Sequence, residues 1–176
     1  MNEEENKFKS VPFLIKEWLP SAIVFSLGIY FISSREYSLI DHFHLIVHEA
    51  GHVIFGFFGQ VIMVLGGTLM QLIIPLLLLI YAYMNKSRIF FQFMLLLEGH
   101  SFINVSIYAG DAQRLRLRLF GPPGVKHDWN WLLTHFGIIE YTDYVSFFFL
   151  IMAGVCVAAA TAAPLYFRRV YDYQGS

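Results

Sequence analysis

Long apolar stretches dominate this chain and limit the folds that it can adopt. Of its 176 residues, 57% are hydrophobic and 14% are charged, whereas a soluble domain is usually about half apolar and a quarter charged. A helix needs about 20 apolar residues to cross the roughly 30 Å hydrocarbon core of a bilayer. Five stretches approach this length: 18–33, 41–58, 61–84, 89–112 and 143–167. The sequence therefore predicts an all-α, polytopic membrane protein with about five spans, formed by one domain over residues 1–176.

The charges and the single cysteine exclude several classes of protein. A net charge of -1 gives no reason to expect a nucleic-acid partner. Cys156 is the only cysteine and lies in an apolar run, so neither an intrachain disulfide nor a thiolate zinc cluster can form. The expected surroundings are lipid, and the sequence does not indicate an oligomeric state.

The distribution of basic residues predicts an orientation, because Lys and Arg prefer the cytoplasmic side of a membrane. With five spans, the N-terminal segment and the loop after the fourth span would share one face, which carries seven cations, and the opposite face carries five. We therefore expect the first face to be cytoplasmic. The C-terminal end of the second span would lie on that side.

Three ionisable side chains interrupt the second apolar stretch, within the run LIVHEAGHVIFGFFG. His48 and His52 are four residues apart, so on a helix they lie on one face, one turn apart. Burying such groups in lipid is costly unless a partner compensates them, and a divalent cation is such a partner. In the pattern H-E-x-x-H the two histidines bind zinc and the glutamate is the general base for a zinc-bound water. The sequence thus predicts one Zn²⁺ per chain on His48 and His52, with Glu49 as the catalytic base, near the cytoplasmic face.

A catalytic zinc ion normally has a third protein ligand, which this motif does not supply. Asp111 is the predicted ligand, because it lies three residues before Arg114, and His52 lies six residues before the end of the second span on the same face. At 1.5 Å per residue their depths differ by only about 5 Å. Other candidates stay open: Glu98, His100, His127 and Asp128. The last two could instead be a surface loop residue and the cap of a short helix.

These residues resemble the site-2 protease type of intramembrane zinc metalloprotease. That family has H-E-x-x-H in one span, then a Gly-containing hairpin or loop, and an aspartate ligand two spans later that an asparagine precedes. The resemblance covers residues 41–113 of this chain. The matching positions are His48, Glu49, His52, Gly66, Gly67, Asn104 and Asp111.

The resemblance implies hydrolysis of a peptide bond in or near a transmembrane segment of a membrane protein or peptide substrate. Gly66 and Gly67 would interrupt the third span and expose a strand edge for an extended substrate. Asn104 would bind the substrate backbone or hold a ligand, unless it makes a plain interhelical hydrogen bond. The run Gly110-Asp111-Ala112 replaces the family's Leu-Asp-Gly, which indicates a divergent branch in which His127 and Asp128 also contribute.

Two other functions are compatible with the same residues. One is a haem-binding electron carrier that uses His48 or His52 together with His100 on a neighbouring helix. The other is a catalytically silent zinc-containing scaffold that holds a membrane partner.

Overall fold

The computed structural model describes residues 3–120 and 124–172, with side chains for 15–120 and 124–168. Lys7, Lys9 and Arg169, three of the cations counted above, lie outside the described side chains. The α helices are α1 Glu3–Ser34, α2 Leu39–Phe55, α3 Gln60–Met84, α4 Arg88–Gly110, α5 Asp128–His135 and α6 Thr142–Asp172. Short 3₁₀ turns occupy Gly56–Phe58 and Ile139–Tyr141. The described residues contain no strand, which confirms the all-α prediction for this part of the chain.

Four of these helices are long and apolar enough to span a membrane, rather than the predicted five. They are Ile15–Ser34, Gln60–Met84, Arg88–Gly110 and Ile139–Arg168. The predicted second span is the exception: it is helical, but α2 has only 17 residues, which is at the lower limit for crossing a bilayer. Four long apolar helices are compatible with an integral membrane protein.

The helix α2 turns a polar face towards the rest of the protein. Its buried residues are Asp41, His44, His48 and Gly51, and their spacing of three and four places them on one side of the helix. Apolar side chains of α2 point outward, and Val53 is 73% exposed. This distribution suits a helix surrounded by lipid on its outer side, because ionisable groups then face the interior of the bundle.

The central helix of the fold is α4. It packs against α6, α3 and α1, while α2 packs mainly on α3. One apolar core joins α1, α4 and α6 through Val24, Leu95, Leu96, Cys156 and Ala160. This arrangement leaves the polar face of α2 between α3 and the C-terminal half of α4, where the polar residues of those helices also lie.

The glycines after α2 have a different role from the predicted one. The turn between α2 and α3 contains Gly59, whose φ of +91° favours glycine. Gly66 and Gly67 lie inside the continuous helix α3, so they expose no strand edge. Both allow close packing instead: the backbone of Gly66 approaches Gly51 of α2, and a Cβ at Gly67 would collide with the His48 imidazole.

Candidate metal centre

His48, His52 and Asp128 bring three possible metal ligands together. The Oδ2 atom of Asp128 lies 2.9 Å from His48 Nε2 and 3.2 Å from His52 Nε2. One ligand atom from each residue lies within 4.8 Å of the others, so the group could hold a metal ion. His48 is buried and the other two are half-buried. The predicted histidine pair therefore lies in a group that could hold a metal ion, and Asp128 is its third member.

Neighbouring groups hold the histidine rings in place. His52 Nδ1 donates to the Met63 carbonyl at 2.8 Å, which leaves Nε2 directed at Asp128. The ring of His48 occupies the space left by the missing side chain of Gly67. Such contacts fix the ring orientation and determine which nitrogen is free for a metal ion.

Asp128 reaches the histidines from the start of α5. The N-cap of this helix is His127, whose Nδ1 accepts from the Asn130 N–H at 3.2 Å. His127, and not Asp128, therefore has the capping role considered from the sequence, and the Asp128 carboxylate is available to the histidines. Burial alone would raise the pKa of this carboxyl, but hydrogen bonds and charge from His48 and His52 lower the pKa to about 2. A carboxylate that stays ionised is the form that binds a cation.

Tyr108 of α4 makes two hydrogen bonds with Asp128. Its hydroxyl donates to Asp128 Oδ2 at 3.2 Å and accepts from the Asp128 N–H at 3.1 Å. Its ring also packs against the His127 ring, with centroids 4.2 Å apart. Sequence reasoning did not single out Tyr108, because the contact joins distant segments and no spacing within the chain marks it.

Asp111, the predicted third ligand, lies outside the group formed by His48, His52 and Asp128. It is buried, and its two oxygens accept from the backbone N–H groups of Arg116 and Leu117, each at 2.9 Å. His127 Nε2 lies 3.7 Å from Asp111 Oδ2. Asp111 therefore fixes the chain that follows α4. An estimate of depth along a helix does not show which way a side chain points.

Asn104 connects three helices. It accepts from Gln71 Nε2 of α3 at 2.8 Å and donates to Asp41 Oδ1 of α2 at 2.8 Å. Asp41 also accepts from both the N–H and the hydroxyl of Ser38. The interhelical hydrogen bond considered from the sequence is thus observed. Asn104 nevertheless lines the same cavity as the histidines.

His100 and Glu98, the remaining candidates, lie elsewhere in the bundle. His100 Nδ1 is 3.0 Å from His44 Nε2, and the two rings are stacked with centroids 5.1 Å apart. Glu98 is buried, and its Oε2 atom has no hydrogen-bond partner among the described residues. The structure therefore pairs His100 with His44 rather than with His48 or His52.

A cavity of about 660 Å³ opens onto the histidines and Asp128. Glu49 lines this cavity with His48 and His52. Its side chain is exposed, and no hydrogen bond or ion pair to Glu49 is present among the described residues. The cavity walls combine apolar side chains, such as Leu45 and Trp131, with this carboxylate. Water and an organic ligand can therefore both reach the histidine pair.

The donor atoms fit a zinc ion. Two imidazoles and one carboxylate form one of the usual ligand sets of catalytic zinc, which binds nitrogen and oxygen at about 2.0–2.2 Å. Ligands at these distances and at tetrahedral angles lie about 3.3–3.6 Å from one another. The separations of 2.9 and 3.2 Å from Asp128 Oδ2 are slightly shorter than this, and the group as a whole lies within 4.8 Å, so the side chains would adjust their positions on binding zinc.

Comparisons with protein-family models, with curated proteins and with solved structures find no match to this chain. The resemblance to the site-2 protease type therefore stays a prediction. The possible metal site depends on the geometry of His48, His52 and Asp128 alone.

Proposed function

We propose that this protein is a membrane zinc metalloprotease of the site-2 protease type, in which His48, His52 and Asp128 hold one zinc ion. The observation that carries the proposal is the grouping of these three side chains at a cavity that Glu49 also lines. In the pattern His-Glu-x-x-His, the two histidines bind the metal ion and the glutamate acts as the general base. The proposal replaces Asp111 with Asp128 as the third ligand.

A bound zinc ion supplies Lewis acidity, which lowers the pKa of a coordinated water and polarises a carbonyl. The chain supplies the proton acceptor. Glu49 has no partner among the described residues that would occupy its oxygens, so it is free to accept a proton. In peptide hydrolysis the oxygen of water joins the carbonyl carbon, the C–N bond breaks, and Glu49 passes the proton to the leaving nitrogen.

The location of the site favours a substrate in or near the membrane. Four helices have the length and apolarity of membrane spans, and the cavity is lined by α2, α3 and α4 together with the segments on either side of residues 121–123. A polypeptide that reaches the histidines must therefore approach between these elements. A membrane protein or a membrane-bound peptide is the substrate that fits this location.

The Glu49→Gln variant tests the proposal. It should retain zinc, because Glu49 is not a ligand, but should cleave membrane substrates at least about 100-fold more slowly, since general bases typically contribute 10²–10⁴-fold. Zinc content is measured by elemental analysis, and cleavage by incubating the reconstituted protein with a panel of purified single-span membrane proteins. Glu140→Gln, an exposed position before α6, is the matched control. Unchanged cleavage by Glu49→Gln would contradict the mechanism, and a zinc-loaded protein that cleaves nothing would favour a scaffold.

A further inference from the structure

Three polar side chains form a chain of hydrogen bonds on the wall of the cavity. Asp41 of α2, Asn104 of α4 and Gln71 of α3 all line the cavity that contains the histidines. Asn104 Nδ2 donates to Asp41 Oδ1, and Gln71 Nε2 donates to Asn104 Oδ1, each at 2.8 Å. Gln71 lies four residues after Gly67, against which the His48 ring packs. The hydrogen-bonded chain therefore ends about 6 Å along α3 from the level of the histidines.

The carboxylate of Asp41 fixes which way the Asn104 amide points. Asp41 Oδ2 accepts from both the N–H and the hydroxyl of Ser38, each at 2.7 Å. With three donors around it, this carboxylate is ionised and can only accept hydrogen bonds. Asn104 must therefore present its NH₂ group to Asp41, which leaves the Asn104 Oδ1 atom directed at Gln71.

The orientation of Asn104 fixes in turn the Gln71 amide. Because Asn104 Oδ1 is an acceptor, Gln71 directs its NH₂ group towards α4, where Nε2 also lies 3.5 Å from the Ser101 carbonyl. Gln71 Oε1 accepts from no described residue. Gln71 is only 2% exposed, yet its Oε1 atom is not fully enclosed, in contrast to the unpaired Oε1 atom of Gln92. A donor can therefore reach Gln71 Oε1 from the cavity.

We propose that Gln71 Oε1 accepts a hydrogen bond from one backbone N–H of the bound polypeptide, and that Asp41 sets this polarity through Asn104. Gln71 is then a specificity-determining residue, and Asp41 is a positioning residue. The peptide nature of the ligand rests on the proposed proteolytic function. A residue without an N–H, such as proline, is rejected at the position that meets Gln71, because a buried acceptor left without a donor is costly.

A set of peptide hydroxamates tests this preference without requiring catalysis. The parent probe is a fluorescent acyl-Leu-Leu-Leu hydroxamate, and three analogues each replace one amide N–H by an ester oxygen. One analogue should bind about 5- to 100-fold more weakly than the parent, because it leaves Gln71 Oε1 without a donor. Affinities are measured by fluorescence anisotropy with and without added zinc. The preference is expected in both conditions, since neither Gln71 nor Asp41 belongs to the group of possible metal ligands.

The Gln71→Met variant assigns the preference to Gln71. It keeps the length of the side chain and removes the acceptor, so the affected analogue and the parent should bind within about twofold of each other. Gln113→Met, at an exposed position that does not line the cavity, is the matched control and should keep the preference. Thermal unfolding shows whether each variant is folded.

The Asp41→Asn variant tests whether Asp41 sets the polarity. Its amide oxygen can still accept from the Ser38 N–H, which leaves an NH₂ group facing Asn104. The Asn104 amide should then turn over, and the Gln71 amide with it, so that Nε2 replaces Oε1 at the cavity. The Ser101 carbonyl opposes this only weakly, since it lies 3.5 Å from Nε2. The parent probe should therefore lose its advantage over the affected ester analogue.

The outcomes separate this proposal from the proteolytic function. Equal binding of all probes to the unaltered protein, no binding of any probe, or the same preference in Gln71→Met would overturn Gln71 as the acceptor. An unchanged preference in folded Asp41→Asn would overturn the role of Asp41, and if that variant does not fold, the Gln71→Met comparison decides. Cleavage that depends on Glu49 would still support the protease in these cases. A preference that requires Gln71 would support the binding site even if no polypeptide is cleaved.

Discussion

Replacing Asp128 and Asp111 in turn distinguishes the ligand that the structure indicates from the one that the sequence predicts. Asp128→Asn keeps the shape of the side chain and removes the charge on an oxygen that lies 2.9 and 3.2 Å from the two histidine nitrogens. Asp111→Asn removes the same charge from a carboxylate whose oxygens accept two backbone N–H groups. The two variants are therefore chemically matched.

The expected effects differ in size and in kind. Changing a residue that only supports a metal ligand typically weakens metal binding 10- to 100-fold, which is about 1.4–2.7 kcal/mol. Loss of the ligand itself should exceed this, so we expect Asp128→Asn to bind zinc more than about 100-fold more weakly. Asp111→Asn should change zinc affinity less than about tenfold, because its carboxylate supports the following loop and contacts neither His48 nor His52.

Competition with a chromophoric chelator measures both zinc affinities in detergent, and thermal unfolding reports whether each variant is folded. Asp111→Asn should lower the unfolding midpoint, since one of two charge-assisted hydrogen bonds becomes a neutral one and the other loses its acceptor. The reasoning is refuted if Asp111→Asn loses zinc while Asp128→Asn, equally folded, retains it.

Two further variants test the groups that support the site. Gly67→Ala should lose most of its bound zinc, because the added Cβ would collide with the His48 ring; Gly154→Ala, where a Cβ meets no atom within 4 Å, should bind zinc normally, and equal zinc contents of the two variants would contradict this account. Tyr108→Phe removes the hydroxyl that holds Asp128 and should weaken zinc binding about 10- to 100-fold, with an unchanged zinc titration as the contrary result.

The sequence predicts the elements of this fold better than their contacts. The apolar stretches correctly predict the helices, because hydrophobicity and length are local properties that a sequence shows directly. The second stretch is predicted as a span because its apolar residues continue to Phe58. The helix itself ends at Phe55, and the sequence does not show that end. Its polar face, with Asp41 and His44 buried beside His48, follows from helical periodicity once the helix is known.

The third ligand was harder to predict, because it depends on the direction of side chains in connecting segments. The described residues between Asp111 and Asp128 contain no helix, and both aspartates lie near one end of a helix. Asp111 accepts hydrogen bonds from the backbone, and Asp128 contacts the histidines. The choice between them is made by tertiary contacts, including those of Tyr108 with Asp128, which a single sequence does not show.

The polarity of α2 has a consequence for membrane insertion. A short helix with an ionisable stripe on one side is a poor candidate to enter a bilayer alone, because that stripe would meet lipid until its partners arrive. Gly51 and Gly66 let α2 and α3 approach closely. The short turn that contains Gly59 joins the two helices. We therefore expect the more hydrophobic α3 to carry α2 into a membrane as one hairpin, so that the two helices that shape the site enter together.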